Sequence, residues 1–60
     1  MTHVLHANFE DAEGRSLQLD FDLTDEDATQ PERRAKAISD ATAYGIGRSW
    51  TLKDWAIYGP

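Results

Sequence analysis

Nine consecutive residues, Ser16 to Thr24 (Ser-Leu-Gln-Leu-Asp-Phe-Asp-Leu-Thr), alternate polar and apolar side chains without a break. Side chains on a strand point to opposite faces with a period of two, so Leu17, Leu19, Phe21 and Leu23 share one face and Gln18, Asp20 and Asp22 the other. The chain must therefore supply a dry layer for one side of this strand and leave the other side wet and acidic.

The segment before it, Thr2 to Glu10, reads as the partner strand. Between the two lies Asp11-Ala12-Glu13-Gly14-Arg15, which fits a three-residue hairpin loop, a type I turn followed by a left-handed residue, with Gly14 where positive φ is needed. Counting outward from Asp11 opposite Arg15, Phe9 faces Leu17, Ala7 faces Leu19, Leu5 faces Phe21 and His3 faces Leu23. On the wet face Glu10 meets Ser16, Asn8 meets Gln18, His6 meets Asp20 and Val4 meets Asp22. A slip of one residue would destroy this match, so the turn and the hydrophobic pattern specify the same register. The first strand carries no Asp, Glu, Lys or Arg from Thr2 to Phe9, which suits the centre of a sheet, whereas the two aspartates of the second suit an edge.

After Thr24, the sequence Asp25-Glu26-Asp27-Ala28 reads as an acidic link, and Thr29-Gln30-Pro31-Glu32 as a capping box with proline in the first helical turn. The spacing predicts a helix from about Gln30 to Tyr44, stopped by Gly45 and Gly47. Its buried stripe is Ala35, Ile38, Ala41 or Thr42, and Gly45, with Tyr44 at the margin. These are small residues, so the helix can lie close to the sheet. Ser49 to Tyr58 is rich in strand-forming residues, although Thr51-Leu52-Lys53-Asp54 also has the form of a helix cap. A hairpin needs a third strand for stability, and a helix crossing from the second strand delivers one parallel to it. The expected fold is α+β, a β-β-α-β chain whose three-stranded sheet has order 2-1-3 with one helix packed on one face, forming a single small domain over residues 1–60. This topology resembles half of a ferredoxin-like domain, and proteins of this size and layout occur among phage and plasmid regulators and inhibitors.

A 60-residue chain buries only about 60% of its unfolded surface. Without cysteine it has neither disulfides nor a thiolate zinc site to staple a thin core, so association with a second copy or another protein would help stabilise it. No apolar run approaches a membrane span of ~20 residues, and the N-terminus lacks the basic and apolar regions of a signal peptide. The expectation is a soluble, cytoplasmic protein that does not enter membranes. The net charge of −5 is uneven: Glu10 to Asp27 hold eight of the eleven carboxylates against Arg15 alone, a local balance of −7, and the remainder carries +2. Such a field repels nucleic acid and favours basic partners.

Several constellations bear on chemistry. His6 and Asp20, cross-strand neighbours in this register, form an acid-base pair without a visible nucleophile or polarising group. His3 and His6 point to opposite faces of a strand and so do not make a metal site. Asp20, Asp22 and Asn8 offer too few oxygens for calcium. Arg33, Arg34 and Lys36, with Arg48 beyond, make a small basic patch, but a nucleic-acid module normally has a basic overall balance and this chain is acidic, so the patch reads as ordinary helix solubility. No cofactor is expected. If Trp50 to Tyr58 form a continuous strand, Trp55 and Ile57 fall on the face opposite Trp50, Leu52, Ala56 and Tyr58, and a bulge at Lys53-Asp54 would change which set is inward. Some of these apolar side chains must then lie on the open face or edge, beside Val4 of the central strand.

The sequence thus points to a non-enzymatic protein-binding module, expected to be homodimeric, that masks the basic, nucleic-acid-binding surface of a partner protein. Its candidate binding residues are Trp55, Ile57, Tyr58, Val4, Asp20, Asp22, Asp25, Glu26 and Asp27. The alternative is a ligand-binding protein or enzyme whose pocket forms between subunits, using His6, Asp20 and Tyr58. A third reading is weak nucleic-acid binding through the basic patch.

Overall fold

A computed structural model describes residues 2–59 of the chain. Two strands, β1 (His3–Glu10) and β2 (Ser16–Leu23), are followed by a short helix α1 (Asp25–Thr29), a longer helix α2 (Pro31–Ile46) and a third strand β3 (Thr51–Tyr58). Both flanking strands pair antiparallel with β1, which gives sheet order 2-1-3. The fold is α+β, as the pattern of the chain predicts.

The β1–β2 register matches the one counted from the loop at every pair from His3–Leu23 to Glu10–Ser16. Gly14 has φ 83°, the left-handed conformation that the loop requires. Asp11 fixes the loop in a way the spacing alone does not reveal. Its carboxylate accepts the backbone N–H groups of Glu13 and Arg15, both at 2.9 Å, and the Arg15 Nε–H at 2.8 Å. The Arg15 backbone N–H foremost holds the Asp11 carboxyl below the usual carboxylate range.

The acidic link is a helix. Thr24 caps α1, its hydroxyl accepting the Asp27 N–H at 3.1 Å, so the capping threonine is Thr24 and not Thr29. Thr29 instead donates its hydroxyl to the Asp25 carbonyl, and Gln30 begins α2 with no side-chain cap. Asp25, Glu26 and Asp27 occupy the first turn of α1, where carboxylates suit the positive end of the helix dipole. This extra turn buries Ala28 against Leu5, Leu23 and Ala41. It also shifts the contact stripe of α2: Ala35 is exposed, while Ala37 and Ile38 are half-buried and Ala41 and Gly45 fully buried.

Gly45 does not stop α2. A Cβ built there would lie 2.5 Å from the Phe9 ring and 3.2 Å from the Trp50 carbonyl oxygen, so this glycine serves close approach of helix to sheet. The helix runs on to Ile46, and the chain turns where the Ser49 N–H reaches the Ile46 carbonyl and the Trp50 N–H the Gly45 carbonyl. This is a Schellman arrangement whose left-handed position falls on Ser49, at φ 62°.

The β1–β3 register shifts between Asn8 and Phe9, which pair with Asp54 and Leu52, leaving Lys53 as a bulge. Before the bulge Leu52 faces the helix, and after it Trp55 and Ile57 do, opposite Ala7 and Leu5. One extra residue therefore puts Leu52 on the same side as Trp55 and Ile57 and leaves Ala56 and Tyr58 on the open face. The expected place of Trp55 and Ile57 on the open face is corrected accordingly: both pack half-buried against the core. Trp50, just before β3, lies beside Phe9 and Tyr44 at the end of α2, with ring centroids 5.9 and 6.4 Å away.

Candidate protein-binding surface

A single helix is narrower than three strands. α2 packs toward β3, and α1 covers only the end of β2. Leu17, Leu19 and Phe21 point to the helix side as the alternation demands, yet remain half-exposed. Between β2 and α2 runs an open groove of about 360 Å³. Phe21, Leu23 and Ala41 line its floor and Tyr44 one wall; its rim carries Asp22 on the strand side and the ion-paired Asp27, Arg33, Lys36 and Asp40 on the helix side. Tyr44, 39% exposed, meets Phe21 edge-on at 5.5 Å and carries the Arg48 guanidinium 3.7 Å from its ring centre.

The carboxylates at this end differ in what surrounds them. Glu26 and Asp27 share Arg33, at 2.6 and 3.0 Å. The Thr24 side chain foremost, with Arg33 nearby, holds the Asp27 carboxyl below its usual range. Asp25 lies 3.0 Å from His3 Nδ1 but off the line a hydrogen bond requires, and that buried nitrogen has no hydrogen-bond partner among the described residues. Asp20 is 2.6 Å from His6 Nδ1. Among the described residues no lysine or arginine pairs with Asp20, Asp22 or Asp25. The carboxylates without a lysine or arginine partner thus sit on the open face of β2 and the start of α1, at the same end of the sheet as the apolar groove.

Of the expected binding residues, Asp20 and Asp22 share the open face with Val4 and Tyr58, which are paired across β1 and β3. Tyr58 is 58% exposed and stands edge-on to His6, ring centres 4.7 Å apart. Asp25, Glu26 and Asp27 project from α1 at the same end of the sheet. Trp55 lies on the other side, under the Arg34 guanidinium at 5.5 Å. The groove residues Phe21 and Tyr44, and the half-exposed Leu19 beside them on β2, are absent from the expected set. Their signal was present, since a helix faced with alanine and glycine cannot cover three strands' worth of leucine and phenylalanine.

The His6 site on the open face is shallow, a depression of about 250 Å³ bordered by Asn8, Gln18, Ala56 and Tyr58. Gln18 Nε2 lies 3.1 Å from His6 Nδ1, within hydrogen-bond reach, and the Asp20 carboxylate lies 2.6 Å from the same nitrogen. No serine, threonine or cysteine stands among the residues lining this depression. Among the described residues no three metal-ligating side chains converge, and no helix is long and apolar enough to cross a membrane. The cations of the supposed basic patch are engaged within the fold: Arg33 with Glu26 and Asp27, Lys36 with Asp40, Arg34 over Trp55 and Arg48 over Tyr44. Comparison of the chain with known protein families, with curated proteins and with solved structures finds no match.

Proposed function

We propose that this chain is a non-enzymatic binding module that docks onto a basic surface of a partner protein, in the manner of a small inhibitor or regulator that masks a nucleic-acid-binding site. The observation that carries this reading is the placement of carboxylates without a lysine or arginine partner, Asp20, Asp22 and Asp25, at the same end of the sheet as a half-exposed apolar groove floored by Phe21 and edged by Asp22. Charge of one sign steers encounter with a partner of the other, and apolar contact then slows dissociation. Neither feature serves the isolated chain, since carboxylates on one face repel each other and exposed phenylalanine forgoes burial. The test is affinity capture from the source cell with the wild-type chain and with Asp20→Asn/Asp22→Asn. A basic protein retained by the former and released by the latter is the expected result; equal retention by both removes the electrostatic basis of the reading.

A second reading rests on the His6–Asp20 contact of 2.6 Å. In it the chain forms a homodimer, and a second copy closes the His6 depression into a ligand pocket. Sedimentation at high concentration tests it, because a strict monomer has no such cleft.

A further inference from the structure

The two edges of the sheet are finished differently. Asp11 N–H donates to the Arg15 carbonyl at 3.0 Å, which makes that pair the first hydrogen-bonded rung of the hairpin. Antiparallel rungs alternate, so Phe9–Leu17, Ala7–Leu19, Leu5–Phe21 and His3–Leu23 exchange the ladder bonds. The backbone N–H and C=O groups of Ser16, Gln18, Asp20 and Asp22 then point away from the sheet. On the opposite side of β1 the alternation turns Trp55 and Ile57 outward along β3. That edge is interrupted by the bulge at Lys53, and the outward Trp55 N–H is taken by the Asp54 carboxylate at 2.9 Å. Edges blunted by a bulge and by local capping resist strand addition; β2, eight residues long, has neither, nor a proline or lysine.

We infer that β2 is the docking edge and that the partner contributes an extended segment in which apolar residues alternate with lysine or arginine, added as a fourth strand beside β2. The inference rests on the protein-binding reading above and specifies its mode. Residues opposite one another across two strands share a face. Side chains opposite Gln18, Asp20 and Asp22 fall on the open face, where two carboxylates without a lysine or arginine partner call for cations. Those opposite Leu17, Leu19 and Phe21 fall on the helix side and cover the apolar surface that α2 leaves bare. Charge argues against a second copy of this chain in the same place. A two-fold pairing centred on Asp20 or Phe21 sets aspartates directly opposite each other, and one centred on Leu19 leaves the two Asp20 side chains on the diagonal, still within reach.

The test uses a capped octapeptide alternating lysine and valine, and the same peptide methylated on alternate backbone nitrogens, titrated into the full chain with amide NMR and hydrogen exchange as readouts. The unmodified peptide should slow exchange at Gln18, Asp20 and Asp22, and methylation of the bonding amides should weaken binding on the order of thirtyfold. Gln18→Pro, which removes an outward donor at an edge position that tolerates proline, should weaken it similarly. Equal binding of both peptides, or protection confined to β3 or the helices, overturns the edge mode but leaves the basic-partner reading standing. So does binding of a scrambled peptide of the same composition with no loss. Concentration-dependent protection of the same three amides without peptide makes a second copy the occupant and overturns the inference. Failure of every cationic peptide to bind removes both the mode and the reading beneath it.

Discussion

Gly45→Ala is a substitution whose sign depends on the packing described here. In an exposed helix interior, alanine is favoured over glycine by about 0.8–1.0 kcal/mol. At Gly45 the added methyl would meet Phe9 ring carbons at 2.5 and 2.7 Å and the Trp50 carbonyl oxygen at 3.2 Å. Neither neighbour yields readily. Phe9 is 1% exposed, locked between β2, β3 and the helix, and the Trp50 carbonyl belongs to backbone tied down by the Trp50 N–H bond to Gly45. Overpacking of this kind costs about 1–3 kcal/mol and outweighs the propensity gain, so the net effect is a destabilisation of about 1 kcal/mol. For a domain of this size that corresponds to a fall in Tm of roughly 4–8 °C. Thermal and urea unfolding of the variant measure it directly. Adding Phe9→Leu should recover part of the loss relative to the sum of the single changes, the signature of two residues competing for one space. A Gly45→Ala protein that melts higher than wild type would show that α2 does not approach β1 as closely as this account requires.

Other changes probe the remaining packing and the turns. Trp55→Ala and Phe21→Ala each remove a half-buried aromatic, so each should cost about 2 kcal/mol, less than the ~3–5 kcal/mol of a fully buried site such as Phe9; urea midpoints that rank Phe21 level with Phe9 contradict the uncovered groove. Ser49→Gly should stabilise by about 1 kcal/mol, because serine holds a left-handed conformation there, and an unchanged or lower Tm rejects the Schellman turn. Asp11 and Asp27 have carboxyls held below their usual range in the folded state, so the folded protein binds fewer protons than the unfolded one. Their contribution is therefore present above the unfolded carboxylate pKa of about 3.9 and lost as pH falls through the lower folded values. Melting temperatures should decline below about pH 4, and a flat profile down to about pH 2 counts against both anchors.

The hairpin was legible residue by residue because two independent constraints, the Gly14 turn and the two-residue alternation, agree on one register. The sheet order followed from where charge is absent. What escaped the sequence lies where local and tertiary signals compete. Thr24 and Thr29 are both plausible caps, and only the packing of Ala28 onto Leu5 and Leu23 favours the helix that begins at Thr24. Gly45 reads as a stop signal locally and is instead a contact, because Phe9 comes from a strand 36 positions earlier in the chain. The bulge at Lys53 was foreseeable as a possibility, but its consequence, Trp55 turned inward, depends on pairing with β1. The acidic surface was legible in composition. Which carboxylates are neutralised was not, since Arg33 reaches Glu26 and Asp27 only once α1 and α2 are folded.

Recognition by the β2 carboxylates is tested most directly by the salt dependence of binding to the captured basic partner, compared between the wild-type chain and Asp20→Asn/Asp22→Asn. The wild-type affinity should fall steeply as ionic strength rises past the point where the Debye length shrinks to about 10 Å, and the variant should bind more weakly with a shallower slope. Superimposable isotherms, or an affinity indifferent to salt, would contradict the claim that the carboxylates of β2 recognise the partner.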